Sequence, residues 1–476
     1  MTEAKQFSRR EFLKWTGVGA TGALLAACTP KEVIVTQQVE VTREVEVEKT
    51  VEVEKEVEVQ VTAPPEAQTI RVLFNNWGDF FNALMEQLGQ AYMDENPGTT
   101  VTWDFNPDWR EKILTSLAAG DAPDVCYTNY TAQAALAHQG AFLPLDAYMV
   151  ITGLKREDFI LSMYDQSLYN GKLYCLPGGA DFIALYYNKD VYREAGLDPE
   201  KPPVTAAELL EHSRAMNQVD ANGAIQRVGY APTSWDLKTW SHLFGGSWYD
   251  PQLQKVTADH PANIEALEWM KSYVDELDVN QLEAFNASLP DFWSPGNSFA
   301  SKKTGFRFDG YWTYDPLDQY APDIDYGVCF WPTLEGKPEE RANYVIEGWM
   351  MAILSGAKNP DGGWAFLKHA FVDYAWKAAC DTLNGNCVID QMDEFEQCVI
   401  DKLGTDNRLS PYFHVFSETG AAGTRYWPAI PVNALYWDEV GRAYDYVVRG
   451  EKSAAEALGE VTATVQAELD KALAEA

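Results

Sequence analysis

Residues 171–197 read GKLYCLPGGADFIALYYNKDVYREAGL. Lys172–Leu176 predicts a short strand that stops at Pro177, followed by a flexible turn at Gly178-Gly179. The apolar run Phe182–Tyr187 predicts a second, buried strand, since its aliphatic and aromatic residues follow one another without polar alternation. Asn188-Lys189-Asp190 ends that run and opens a short helix, with Asp190 or Asn188 as N-cap and Gly196 at the C-terminal end.

Upstream, strands alternate with helices. Ile70–Phe74 predicts a strand, residues 80–96 a helix broken by Asn96-Pro97-Gly98, and Thr100–Phe105 a second strand. Asp108-Trp109-Arg110-Glu111 predicts a capping box, and Ile113, Leu114 and Leu117 share one face of the helix behind it. Asp124–Tyr127 predicts the third strand. This order implies βαβ units and a parallel sheet, whose ligands bind beyond the carboxyl ends of the strands. The loops 75–79 and 128–131 fall there. Further on, Thr205-Ala206-Ala207-Glu208 predicts another capping box, and Asn359-Pro360 caps a helix that buries Trp364, Leu367, Phe371 and Tyr374.

The run YYNKDVYREAGLDPEKPPVTAAELLEHSRAM (186–216) closely resembles the hinge-crossing segment of bacterial ABC-importer solute-binding proteins for sugars and oligosaccharides, the maltose-binding-protein-like family. AAGDAPDV (118–125), GKLYCLP (171–177), residues 299–333 and YVIEGWMMAIL (344–354) resemble further segments of that family, in the same order. The resemblance covers about residues 68–476. It implies an α/β, two-lobed type II periplasmic-binding-protein fold, each lobe a mainly parallel sheet flanked by helices, with the solute held between the lobes. It implies lobe 1 at 67–184 and 347–400, and lobe 2 at 185–346 and 401–476. It further implies a monomer that captures solute by hinge closure and delivers it to a membrane permease.

The front of the chain reads as an address. Ser8-Arg9-Arg10-Glu11-Phe12-Leu13-Lys14 is a twin-arginine export pattern carried by Arg9 and Arg10, and the run 15–27 is too short and glycine-rich to span a membrane. Leu25-Ala26-Ala27-Cys28 resembles a lipoprotein cleavage box. That makes residues 1–27 a signal and Cys28 the lipid-bearing first residue of a protein anchored at the outer face of the cytoplasmic membrane. Gly17–Gly22 matches the dinucleotide glycine pattern, but no strand precedes it and it lies in the leader, so it is set aside. Val33–Val61 alternates Val with Glu, and Pro64-Pro65 closes the run. Residues 28–66 are therefore expected to form a charged, extended tether, with a helical or self-paired stalk as the alternative.

Bulk properties narrow the function. At 476 residues the chain is too long for one ordinary core. A formal charge of −34 would repel nucleic-acid phosphates. The histidines 138, 212, 242, 260, 369 and 414 show no metal-ligand spacing, and no nucleophile elbow, Walker loop or HExxH motif occurs. No metal, cofactor or catalysis is expected. Among Cys126, Cys175, Cys329, Cys380, Cys387 and Cys398, Cys380–Cys387 is the candidate disulfide, while export of an already folded chain suits an all-reduced set equally well.

A sugar presents apolar C–H faces and rims of hydroxyls, so its site wants aromatic platforms beside acids and amides. The chain has 16 Trp and 24 Tyr, several of them at loop positions. The expected contacts from the first lobe are Asn76, Trp77, Asp79, Tyr127, Asn129 and Asp181. Trp235, Trp240, Asp309 and Trp312 come from the second, and Glu347 and Trp349 from the second crossover. Tyr426 and Trp427 fall in a late loop that the resemblance makes ligand-facing. Two rivals use the same mix: a polyamine or other cation receptor with a caged ammonium, and a surface glycoside hydrolase, which needs two carboxylates about 5–10 Å apart.

Overall fold

The computed structural model describes residues 67–290 and 294–475. The export motif with Arg9 and Arg10, the lipid site Cys28 and the Val–Glu tether lie outside the described residues. In chain order the strands that build the two main sheets are β1 (Gln68–Phe74), β2 (Thr99–Phe105), β3 (Val125–Asn129), β4 (Cys175–Asp181), β5 (Ala184–Asn188), β6 (Phe306–Asp309), β7 (Tyr326–Cys329) and β8 (Glu347–Ile353). The first sheet has the order β2-β1-β3-β8-β4, and the second β6-β5-β7. In the first, β2, β1 and β3 run parallel, while β8 lies antiparallel between β3 and β4. The second sheet is antiparallel throughout, so the expected mainly parallel order describes the first sheet only. β5 reaches neighbours more than 100 residues downstream, and such distant partners need no βαβ crossover between them.

Helices α1 (Asp79–Glu95) and α2 (Trp109–Ala118) connect the parallel strands. The predicted capping box at Asp108 is not formed; its side chain makes no cap bond. After β5 come α3 (Lys189–Glu194), α4 (Ala206–Met216), α5 (Ser234–Leu243) and α6 (Pro261–Leu277). Asn188, not Asp190, caps α3 by accepting from the Val191 N–H. The Thr205–Glu208 box on α4 forms in both directions. Beyond β8 lie α7 (Pro360–Lys368), α8 (Ala375–Thr382), α9 (Met392–Leu403), α10 (Asn433–Val448) and α11 (Ala454–Ala474). Asn359 and Pro360 start α7 as expected, but a π-helical turn at His369–Asp373 rotates the chain. Trp364, Leu367 and Phe371 are therefore buried while Tyr374 points outward.

The chain passes from the first sheet to the second across Phe182-Ile183 alone. One core packs on the first sheet, with Val72, Phe74, Ile113, Met351 and Leu367. A second packs around α4, α5, α6, α10 and α11, with Leu209, Trp240, Leu267, Tyr436 and Leu458. A third, with Phe182, Tyr186, Tyr311, Phe413 and Phe416, fills the space beside the crossing. Cys380 on α8 is disulfide-bonded to Cys398 on α9, not to Cys387, whose thiol is free and buried. Neighbouring helices bring these two cysteines to a Cα separation of 6.2 Å, a distance sequence proximity alone does not reveal. Among the described residues no helix is long and apolar enough to cross a membrane.

Candidate functional site

Gly178-Gly179 is not a turn. Both glycines lie inside β4, where the register with β8 shifts: Trp349 pairs with Gly179 and Met350 with Pro177, which leaves Gly178 as the bulged residue. A β-carbon on Gly179 would stand 2.5 Å from the Trp349 indole nitrogen and 2.8 Å from Asn384 Cβ, and one on Gly178 would overlap the indole ring. The two glycines thus let an indole lie flat on the strand.

Cross-strand register brings the remaining groups to the same face. Trp349 pairs with Asn129 on β3 and with Gly179 on β4, and Glu347 pairs with Asp181. Side chains alternate along each strand, so Tyr127 and Asn129 share the face of Trp349 and Glu347. Trp349 is only 4% exposed, and its indole N–H donates to Asn384 Oδ1 at 3.1 Å. Trp77, on the turn after β1, meets the rings of Trp349 at 5.8 Å and Tyr127 at 5.4 Å. Asn76 shapes that turn by accepting from the Gly78 N–H and from Asn82 Nδ2, both at 3.0 Å.

These groups line a cleft of about 310 Å³. Its walls are Trp77, Phe81, Tyr127, Tyr130 and Trp349 from the first sheet and its loops, Trp312 beyond β6, and Leu383 after α8. Its polar groups are Asn129, Asp181 and Asn384. Arg110, on α2, donates to Asn129 Oδ1 at 3.4 Å and to the Thr131 hydroxyl. Leu383 holds a left-handed backbone at φ 56°, and the next two residues fold back so that Gly385 pairs with Ala180 of β4. Burial pushes the Tyr127 and Tyr130 phenols up, which leaves both as neutral donors.

Six expected contacts meet in this cleft: Trp77, Tyr127, Asn129, Asp181, Trp312 and Trp349. Trp235 and Glu347 line a small void that shares Asp181 with the cleft. Asp309 is held in an ion pair by Arg307 at the end of β6. The others lie elsewhere. Trp240 is 0% exposed in the second core, against Trp269 and Trp331, because α5 turns that face inward. Trp427 is 1% exposed and packs on Trp248, Tyr436 and Trp437. Tyr426 faces the charges of Asp165 and Arg156. Asn76 and Asp79 are exposed on the turn and first helical residue that carry Trp77.

Phe81, Tyr130, Leu383 and Asn384 were missed by sequence reasoning, and so was Lys238 on α5. The Lys238 ammonium is paired with Glu347 and lies 4.7 Å from the ring of Trp235, 5.0 Å from Trp437 and 5.2 Å from Tyr130. Both charged side chains are less than 5% exposed. Burial raises the Glu347 carboxyl while Lys238 opposes that shift. Asp181 is pushed up to about 7, first by burial and then by the charge of Glu347.

A family model described as bacterial extracellular solute-binding protein matches residues 75–373. The chain belongs to that family. Membership makes it an exported, solute-binding protein. A binding protein of Brucella abortus (strain 2308) is 25% identical to it over 321 residues, spanning 66% of this chain and 74% of the relative. The maltotriose-binding protein of Pyrococcus abyssi is 22% identical over 286 residues, 60% of this chain and 58% of that one. Among solved structures, CpMnBP1 with mannobiose bound superposes with a TM-score of 0.69 at 23% identity, covering 84% of this chain and all of that one. The solute-binding protein thus has the two-lobed type II fold.

Proposed function

We propose that this solute-binding protein captures a neutral carbohydrate, an oligosaccharide or glycoside, in the cleft between its sheets and hands it to the permease of an ABC importer. The observation that carries this reading is the cleft wall itself. Trp77, Trp349, Tyr127, Tyr130 and Trp312 offer flat faces for sugar rings, and Asp181, Asn129 and Asn384 offer hydrogen bonds to hydroxyls between them. A volume of about 310 Å³ suits one or two sugar rings. Maltotriose and mannobiose, bound by the relatives named above, are of the same class.

Each indole face buried on a sugar ring contributes ~1.5–3 kcal/mol before ordering costs. Two or three stacks with a few hydrogen bonds therefore reach micromolar affinity, near about −8 kcal/mol. Trp312 and Trp77 approach from different sheets, so a solute touching both favours the closed form over the open one. We place the lobe boundaries at 67–184 with 347–400 and at 185–346 with 401–476. The chain acts as a monomeric receptor without catalysis, tethered through a lipid on Cys28.

The cation reading loses ground to a specific feature. One aromatic cage beside the cleft, formed by Tyr130, Trp235 and Trp437, is already filled by the chain's own Lys238. The hydrolase reading needs carboxylates on opposite sides of a bond, whereas Asp181 and Glu347 sit side by side on one ladder, with Glu347 closed off by Lys238. A thermal-shift screen with neutral di- and trisaccharides, polyamines and short peptides tests the reading. A ligand at 100 times its Kd adds ~2.7 kcal/mol of stability. Stabilisation by spermidine and by no sugar would reverse the assignment.

A further inference from the structure

A helix leaves its last four carbonyls without partners of its own, and at the end of α8 other groups take all four. Asn384 takes two: its side-chain amide donates to the Thr382 carbonyl at 2.7 Å, and its backbone N–H to the Ala379 carbonyl at 3.0 Å. Lys402, on α9, takes the other two, its ammonium donating to the Cys380 and Asp381 carbonyls at 3.1 and 3.3 Å. A cation suits that end of the helix dipole as well. The same turn carries the disulfide, since Cys380 is bonded to Cys398, one turn before Lys402 on α9. The Tyr311 hydroxyl adds a contact with the Ala379 and Asn384 carbonyls, at 2.9 and 2.7 Å. On its other side this helix end is cleft wall. Leu383 and Asn384 line the cleft, and the Asn384 side-chain oxygen accepts from the Trp349 indole N–H. Neither Cys380, Cys398 nor Lys402 lines the cleft.

Resting on the carbohydrate reading of the cleft, we propose that α9 sets the solute affinity from behind the cleft wall. The Cys380–Cys398 disulfide and Lys402 hold the last turn of α8, that turn holds Asn384, and Asn384 holds the Trp349 indole in the pose the solute meets. Solute affinity therefore follows the oxidation state of this disulfide. Among the described residues Asn384 is the hydrogen-bond partner of the Trp349 indole, which is buried. With the bridge open, Lys402 alone ties the turn to α9, and the turn frays. Asn384 then releases a buried donor, which is costly, and the indole gains alternative orientations. The solute has to order the ring again on binding, so affinity drops without the loss of any group that touches it. Cys398 is half-buried rather than sealed. Reduction by a phosphine breaks the one S–S bond and forms two thiols. The phosphine supplies the two electrons, and water supplies the two protons and the oxygen of the phosphine oxide.

The test is calorimetric titration of the full chain with mannobiose and maltotriose, oxidised and after treatment with tris(2-carboxyethyl)phosphine, well below the melting temperature of the reduced form. Circular dichroism confirms that the reduced protein is folded. Reduction is expected to weaken binding about three- to tenfold. Cys398→Ser should bind like the reduced wild type and ignore the phosphine. Lys402→Met should weaken binding with the disulfide intact, and Lys402→Arg should restore it. Asn384→Ala should bind weakly in both redox states, because the step through which the disulfide acts is gone. Hydrogen exchange without solute should speed up on reduction at 375–385 and at 347–353, and stay unchanged at 68–74. Equal affinity of the folded wild type in both redox states would overturn the proposal, and so would an Asn384→Ala protein that keeps the full response to reduction. Failure of both sugars to bind the oxidised wild type is a different result: it removes the carbohydrate reading and this proposal with it.

Discussion

Trp349 owes its place to two residues without side chains. Gly179→Ala would put a methyl group 2.5 Å from the indole nitrogen and 2.8 Å from Asn384 Cβ, with β8 along one side of the strand and the Ala180–Gly385 bridge beside it. The expected cost is ~1–3 kcal/mol by chemical denaturation. Sugar affinity should fall at least tenfold by calorimetry, because the displaced ring walls the cleft. A second residue-scale prediction concerns stability and pH. The Asp181 carboxyl titrates near 3.9 in an unfolded chain and at about 7 in the folded one. Between those values the folded state holds a proton that the unfolded state has lost, so this residue's contribution falls as pH rises from 4 to 7 and stays low above. Asp181→Asn should therefore match wild type at pH 4 and be more stable at pH 8, by about 1–3 kcal/mol, in thermal melts. Equal melting differences at both pH values would contradict the origin assigned to the shift.

At the scale of elements, the α8–α9 pair shows what local sequence conveys and what it withholds. The caps at Thr205 and Asn359 were legible because a cap is a contact between residues two to four apart. The strand β4 was misjudged for the opposite reason. Gly178-Gly179 signals a turn in isolation, and only the Trp349 ring across the ladder explains why the strand continues. Likewise the Cys380–Cys398 bridge joins two helices whose packing cannot be inferred from cysteine spacing. It closes a loop with a sequence separation of 18, so reducing it should cost ~3 kcal/mol. Thermal melts with and without reductant, on wild type and on a Cys398→Ser variant, check this. Reductant should lower the melting temperature of the wild type only.

At the scale of the whole molecule, the two-lobed plan was legible because family-like segments occur in the right order along some 400 residues of chain. The cleft was legible in part. Loops at the carboxyl ends of β1 and β3 announced Trp77, Tyr127 and Asn129, whereas Asn384 and Lys238 arrive through contacts more than 100 residues away. Lys238 links helix α5 to Glu347 on strand β8 of the first sheet. Lys238→Met leaves a buried carboxylate unpaired and should cost about 3–5 kcal/mol, while Lys238→Met with Glu347→Leu should recover most of that loss. A double-mutant cycle by denaturation measures it, and additive losses would mean that the pair is not coupled.

The central claim is that rings from both lobes grip a neutral sugar. It is tested most directly by titrating mannobiose and maltotriose into wild type, Trp77→Ala and Trp312→Ala, one ring from each side of the cleft. Micromolar binding to the wild type of at least one sugar, weakened tenfold or more by each substitution, is the predicted result. Binding that ignores both substitutions, or no sugar binding beside tight spermidine binding, would contradict it.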